Sequence, residues 1–273
     1  MWYEDWRIIL SCSIALIINI LTIASGAARM AGVKTKRIAT GLTLFNLFGL
    51  LARLANIVML PVLANVVDKA IKEGTTHNVL LLQFRFVLFS AFIGSIIGAC
   101  LMPTFVAFFM RGIHAFERVT SIPRVIISMF DPRKASQIAG LFRPPSLHFL
   151  NQARLNGIPT PFLIYNILMT AIWAVGALSS VYASAIIPEY SRTATLLSSV
   201  VNGWATVMFT LIVDPAAALI TDQAVQNIRP EHHVRSMVIY LTLGTVAGML
   251  LAQFLFVYAS NIIVFVTRWL GSL

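Results

Sequence analysis

The sequence predicts an all-α polytopic membrane protein with about six transmembrane helices, on three observations. Of its 273 residues, 58% are hydrophobic and only 11% charged, which leaves too little polar surface to cover a soluble globule. Charge-free apolar runs extend over residues 8–28, 86–110, 162–187, 193–213 and 237–267, each close to or above the roughly 20 residues that cross a hydrocarbon core. A sixth run, 38–67, is interrupted only by Arg53, and at about 1.5 Å per residue it too is long enough to span.

Taken in order, the first run follows the acidic stretch Trp2-Tyr3-Glu4-Asp5-Trp6. It lacks the positive start of a cleavable signal, so it is expected to stay in the membrane as a helix. The second and third runs complete a first group of three spans within residues 1–110. Residues 111–161 carry Pro123, Pro132, Pro144, Pro145, Pro159 and Pro161 and are too polar to cross. Segments such as Arg124-Val125-Ile126-Ile127-Ser128-Met129-Phe130 mix basic and large apolar side chains, a combination suited to short interfacial helices beside anionic lipid on the cytoplasmic face. The last three runs form a second group within 162–273.

Cytoplasmic loops retain Lys and Arg. Alternate segments carry Arg29, Lys34, Lys36 and Arg37, then the basic residues from Arg111 to Arg154, then Arg229 and Arg235; the opposite side holds only Arg7, Lys69, Lys72, Arg192 and Arg268. This imbalance predicts that both termini lie outside. The formal net charge of +10 is spread along these flanking segments, which argues against nucleic acid as a partner.

The two groups of spans share short matches in the same order. Ala24-Ser25-Gly26 matches Ala183-Ser184-Ala185, Arg37-Ile38-Ala39-Thr40 matches Arg192-Thr193-Ala194-Thr195, and Asn46 and Asn202 follow those arginines at similar intervals. Val67-Asp68 matches Val213-Asp214. Arg85 precedes Gly94-Ser95-Ile96-Ile97-Gly98 as Arg235 precedes Gly244-Thr245-Val246-Ala247-Gly248. Because each copy would hold three spans, the second would sit inverted, giving a 3+3 inverted repeat of the kind transporters rock about a midplane site.

Arg53 is the strongest single chemical signal. A charge near the middle of a span costs roughly 2.5 to 3.5 kcal/mol on insertion scales unless paired or hydrated, so such residues usually face a cavity. Asn46, Gly49 and Asn56 lie at helical spacing on the same face. That polar strip suits the oxyanions of a phosphorylated lipid, since guanidinium is a planar fork of donors that stays charged. A structural cation neutralised by a buried carboxylate or by capping carbonyls fits the sequence as well. Asn202 is expected to add a hydrogen bond from the second half. Arg85 and Arg235 head the third and sixth spans, where either snorkelling or a headgroup contact accounts for them. Asp214, at the end of the fifth span before Pro215, and Glu189, at the outer end of the fourth, could pair with Arg53 or take a proton in a coupled cycle, or simply terminate helices.

Other features point away from chemistry. Glu231-His232-His233 is not read as a metal site, because neighbouring histidines on a helix diverge and no spaced third ligand is apparent. The Gly94/Gly98 and Gly244/Gly248 patterns permit close helix packing, within the chain or in a homodimer. Cys12 and Cys100 fall inside apolar runs, as small buried thiols do. No phosphate-binding loop, nucleophile elbow or paired-carboxylate signature occurs, so neither an enzyme nor a cofactor is expected.

Ala55-Asn56-Ile57-Val58-Met59-Leu60-Pro61-Val62-Leu63-Ala64-Asn65, Ile187-Pro188-Glu189-Tyr190-Ser191-Arg192-Thr193-Ala194-Thr195 and Val213-Asp214-Pro215, with the length and span layout of nearly the whole chain, resemble the Amj family, the alternate lipid II flippases of bacteria. The resemblance implies a multi-pass protein of the bacterial plasma membrane that moves undecaprenyl-pyrophosphate-linked disaccharide-pentapeptide (lipid II) to the outer leaflet for peptidoglycan synthesis. It assigns no functional residue. On the residues alone, a transporter or scramblase of another phosphorylated lipid such as undecaprenyl phosphate, or a membrane-embedded lipid-modifying enzyme, stands beside that reading. The expected orientation is testable: in a Cys12→Ser, Cys100→Ser background, a cysteine added beside either terminus should react with a membrane-impermeant maleimide in intact cells, and protection of both would reverse it.

Overall fold

Residues 5–119, 140, 142–143 and 158–272 are described by the computed structural model, and every regular element among them is helical. In chain order these are α1 (Trp6–Lys34), α2 (Ile38–Lys72), α3 (His77–Cys100), α4 (Met102–Val119), α5 (Thr160–Ile186), α6 (Ser191–Met208), α7 (Asp214–Val225) and α8 (Glu231–Gly271). A short 3-10 turn, Pro188–Tyr190, leads into α6, and a π-helical turn, Phe209–Val213, joins α6 to α7. Six helices are long and apolar enough to cross a membrane: α1, α2, α3, α5, the α6–α7 unit from Pro188 to Val225, and α8. The expected number of spans is met, and helices satisfy their own backbone groups as lipid demands.

Local chemistry sets most of the boundaries. The Asp5 side chain caps α1 by accepting the Arg7 backbone N–H at 3.1 Å, and α1 ends where Lys36 takes a φ of 57°. Gly74, at φ 63°, turns the chain between α2 and α3, a left-handed conformation that glycine adopts without penalty. Pro161 stands in the first turn of α5, where its missing N–H is not needed.

Several expected boundaries shift. The run 86–110 is divided at Leu101: α3 starts at His77 and stops at Cys100, and α4 then lays Met102, Val106, Phe109 and Ile113 against the bundle at a helical repeat. Arg85 therefore lies inside the third span, not at its end. The fifth span does not finish at Asp214–Pro215 but continues to Val225, because the π turn absorbs the proline that would otherwise break the helix. Arg29, counted above as a loop residue, belongs to α1 and is buried. The segment Arg124–Phe130 lies outside the described residues.

α1 is the central column, packing against α2, α3, α4, α7 and α8, while α5 packs on α6 and α8. At the end that carries the chain termini, Phe84 of α3, Tyr182 of α5 and Phe256 of α8 form a cluster with ring centroids 5.6 to 6.1 Å apart. Tyr182 donates to the His77 carbonyl at 3.5 Å, and Gln253 of α8 donates to the Arg85 carbonyl at 3.2 Å. A second buried cluster joins Ala24, Ala27, Ala28 and Ala31 of α1 to Phe109, Phe162, Val213, Ala217 and Met237. Both clusters draw on residues from either side of the central segment.

The glycine pairs read as packing features do pack, inside the chain. A Cβ on Gly94 would meet the Leu16 carbonyl oxygen and come within 2.8 Å of its Cα; one on Gly248 would stand 2.7 Å from the Ile167 carbonyl oxygen. Gly244 faces the side-chain amide of Asn166, which donates to the Leu241 carbonyl at 3.0 Å. A homodimer gains no support from faces already filled this way. Cys12 is half-buried and Cys100 exposed, both as free thiols.

Overpacking a filled helix contact costs about 1–3 kcal/mol or more. Gly94→Leu and Gly248→Leu should each lower the thermal midpoint of the detergent-solubilised protein in a size-exclusion melt. Gly49→Ala, where a Cβ meets nothing within 4 Å, should leave it unchanged.

Candidate functional site

The residue that most needs an explanation is Arg29. Its surroundings on α1 are small: Ala24, Gly26, Ala27, Ala28, Ala31 and Gly32 let neighbouring helices come close, and at Gly32 an added Cβ would lie 2.9 Å from the Gly41 Cα of α2. Close approach buries the guanidinium, whose side chain is only 8% exposed. Two groups face it, and one of its donors is unmet. Nη2 lies 3.9 Å from Asp214 Oδ1, the guanidinium carbon sits 4.3 Å from the centroid of the Phe45 ring of α2, and Nε has no hydrogen-bond partner among the described residues. A cation over an aromatic face gains on the order of 0.5–2 kcal/mol. The ion pair adds Coulomb attraction, but at 3.9 Å it is longer than the 2.7–2.9 Å typical of a charge-assisted hydrogen bond.

Asp214 occupies a distinctive backbone position. It opens α7 directly after the π turn and is followed by Pro215, which has no N–H to donate. Such turns commonly mark functional bends in helices. Its side chain is 49% exposed, so the pair is buried from the arginine side and open from the carboxylate side. α1 touches both α2 and α7, whereas α2 and the α6–α7 unit make no extensive contact with each other among the described residues. The pair thus sits on α1 between α2, which supplies Phe45, and the α6–α7 unit, which supplies Asp214, two mostly exposed spans. Leu50, Leu54, Ile57 and Val58 line the outside of α2, and Leu196, Val200, Trp204 and Leu211 that of α6 and the π turn.

The residues expected from sequence occupy separate surroundings. Arg53 and Asn46 are exposed on α2, and no ion pair or hydrogen bond ties the Arg53 guanidinium to another described residue. Asn56 turns away from them and lines a cleft of about 30 Å³ between the halves with Asn19, Trp173 and Met249, room for a water or two. Asn202 faces Gly176 of α5, and its Oδ1 is buried without a partner among the described residues. Arg85 is exposed on α3, and Glu189 is exposed in the Pro188–Tyr190 turn. Arg235 is half-buried near the start of α8, where it, Arg143 and Glu231 lie within electrostatic reach of Lys34.

The sequence offered Asp214 as a partner of Arg53, a proton acceptor or a helix terminator, and Arg29 was passed over because the charge falls at the edge of an apolar run. The available signal was the stretch of small residues on both sides of it, through which the helix continues to Lys34. The histidine pair also differs from expectation: the His232 and His233 rings stack with centroids 4.5 Å apart at the start of α8, where the first turn leaves adjacent side chains free to fold together.

The family model described as Alternate to MurJ, Amj, matches residues 14–267. The lipid II flippase Amj of Bacillus subtilis (strain 168) is 32% identical over 259 residues, which is 94% of this chain and 95% of that protein. No solved structure matches. The family match begins within α1 and ends near the close of α8, so it takes in all six spans and both partners of the Arg29–Asp214 pair, and over that extent the chain belongs to the Amj family.

Proposed function

We propose that this protein is a lipid II flippase that carries the undecaprenyl-pyrophosphate-linked disaccharide-pentapeptide from the cytoplasmic to the outer leaflet of the bacterial plasma membrane and returns it chemically unchanged. The carrying observation is near-full-length similarity to a protein named as a lipid II flippase. The architecture supplies what such a substrate needs. The exposed apolar faces of α2 and the α6–α7 unit let a polyprenyl tail remain in lipid, and a guanidinium lies between those two spans, where a diphosphate can be met. The localisation follows from the substrate, and both termini outside from the distribution of basic residues.

Within this reading, Arg53 and Asn46 contact the travelling headgroup. A guanidinium exposed among Leu50, Leu54 and Ile57 has no counter-charge among the described residues, and a lipid phosphate is the anion at hand. Arg85 and Arg235 meet headgroups nearer the two surfaces, Asn56 and Asn202 serve the interface between and within the halves, and Asp214 and Glu189 supply the acids. The halves rock as an inverted repeat. In each, the first helix packs against both the second and the third, and the third carries paired glycines onto the first: Gly94 and Gly98 against α1, Gly244 and Gly248 against α5.

The test is leaflet exposure of lipid II in a strain where this protein is the sole flippase and can be depleted. Loss of outer-leaflet lipid II with accumulation inside is expected on depletion. Unchanged exposure would reject the assignment and bring another phosphorylated lipid, such as undecaprenyl phosphate, to the front; a chemically altered lipid product would make the protein an enzyme. In the same strain Arg53→Leu, inserted at normal levels, should lower the rate of exposure about tenfold, the value of one charge-assisted contact, and a full rate would remove Arg53 from the substrate path.

A further inference from the structure

We propose that Arg29 is the cytoplasmic-leaflet receptor for the diphosphate of a polyprenyl-linked lipid, and that Asp214 is its resting counter-ion, displaced when the diphosphate docks. This rests on reading the protein as a carrier of such a lipid, and it names the group that first holds the substrate and the event that releases the helix beside it.

Three observations carry the assignment. The first is under-coordination. A guanidinium has five N–H donors in a fixed fork, yet Arg29 has a carboxylate oxygen at 3.9 Å, a Phe45 ring at 4.3 Å and an Nε with no partner among the described residues. Asp214 neutralises the charge without saturating the donors. A diphosphate brings several oxygens on two linked centres and can take the fork bidentately, so it gives Arg29 bonds that Asp214 does not.

The second observation is access. Arg29 is 8% exposed and Asp214 49%, so the anion side of the pair is the side that is open. An incoming anion approaches where Asp214 stands, and the carboxylate, already half in the open, has somewhere to go. The third is depth. Arg29 lies five residues before Lys34, the last residue of α1, about 8 Å along the axis from that helix end. This is close to the level of the phosphates of a lipid whose tail lies in the same leaflet, and Lys34, Arg143 and Arg235 cluster at that end.

Displacement also has a mechanical consequence. Asp214 is the first residue beyond the π turn and adjoins Pro215, so the ion pair fastens α7 to α1 at the point where the span is least constrained by its own hydrogen bonds. Substrate that takes Asp214's place on Arg29 unfastens the bend. Binding energy for the anion is thereby linked to movement of the second half against the first.

The full chain in detergent, titrated with undecaprenyl diphosphate and with undecaprenol as control, tests the assignment by thermophoresis. Arg29→Gln should weaken diphosphate binding about tenfold or more, the worth of a charged hydrogen-bonded contact, while Asp214→Asn, which removes the competing anion, should tighten it severalfold. Two residues joined only for stability would behave alike. Weakening by both variants, or wild-type affinity in Arg29→Gln, overturns the proposal. If Asp214→Asn does not fold, Asp214→Glu replaces it: one more methylene closes the 3.9 Å gap, makes a stronger competitor and should weaken binding, and unchanged or tighter binding overturns the proposal. The flippase reading fails separately: lipid II exposure that ignores depletion of the protein rejects it while these affinities stand.

Discussion

A guanidinium inside an apolar helix bundle is tolerated only if its charge is answered at close range, and here the answer comes from the opposite half of the chain. Arg29 on α1 meets Asp214 on α7 and the face of Phe45 on α2, so three spans converge on one cation. A guanidinium taken out of water needs a counter-charge or an aromatic face close by, which makes the arrangement of those helices a condition of burying the charge at all. The central place of α1 follows. A helix that carries a buried cation needs neighbours on every side, and Ala24, Ala27, Ala28, Ala31 and Gly32 allow them to approach.

The two ends of the bundle are held by different physics. At the end bearing the termini, Phe84, Tyr182 and Phe256 lock α3, α5 and α8 through apolar contact, with Gln253 and Tyr182 adding bonds to backbone carbonyls. Such a contact is indifferent to a passing anion. At the other end the tie between halves includes a long ion pair beside a π turn and a proline, an interaction that a competing anion can replace. One end is fastened by apolar contact, and the other adds to its apolar cluster a charge pair, the element on which the proposed docking of a phosphorylated headgroup acts.

Hydropathy and length made the spans legible because both are local properties: a run of about 20 apolar residues is a crossing helix almost regardless of its neighbours. The same locality explains the misplacements. In the run 86–110 the signal for the division at Leu101 is Pro103, which stands in the first turn of α4 and was passed over, and Asp214-Pro215 looks like a helix end until the π turn and the packing of Ala217, Ile220 and Ala224 carry the span on to Val225. The glycine pairs were readable as packing features, but their partners, Leu16, Asn166 and Ile167, were not. Their use inside the chain also removes the sequence argument for a dimer.

The candidate site divides in the same way. The sequence by itself determined the helical class, six spans, the scarcity of intramembrane charge and the presence of Arg53 and Asp214 within or beside apolar runs, since these depend on composition and order alone. Only the tertiary structure decided that Arg29 is the buried cation, that Asp214 is its partner, and that Arg53 looks outward while Asn56 and Asn202 turn into separate helix contacts. The reason is geometric. Which face of a helix is enclosed, and which charge lies within 4 Å of another, is set by how helices cross, and helices far apart in sequence record no trace of that crossing in either segment alone.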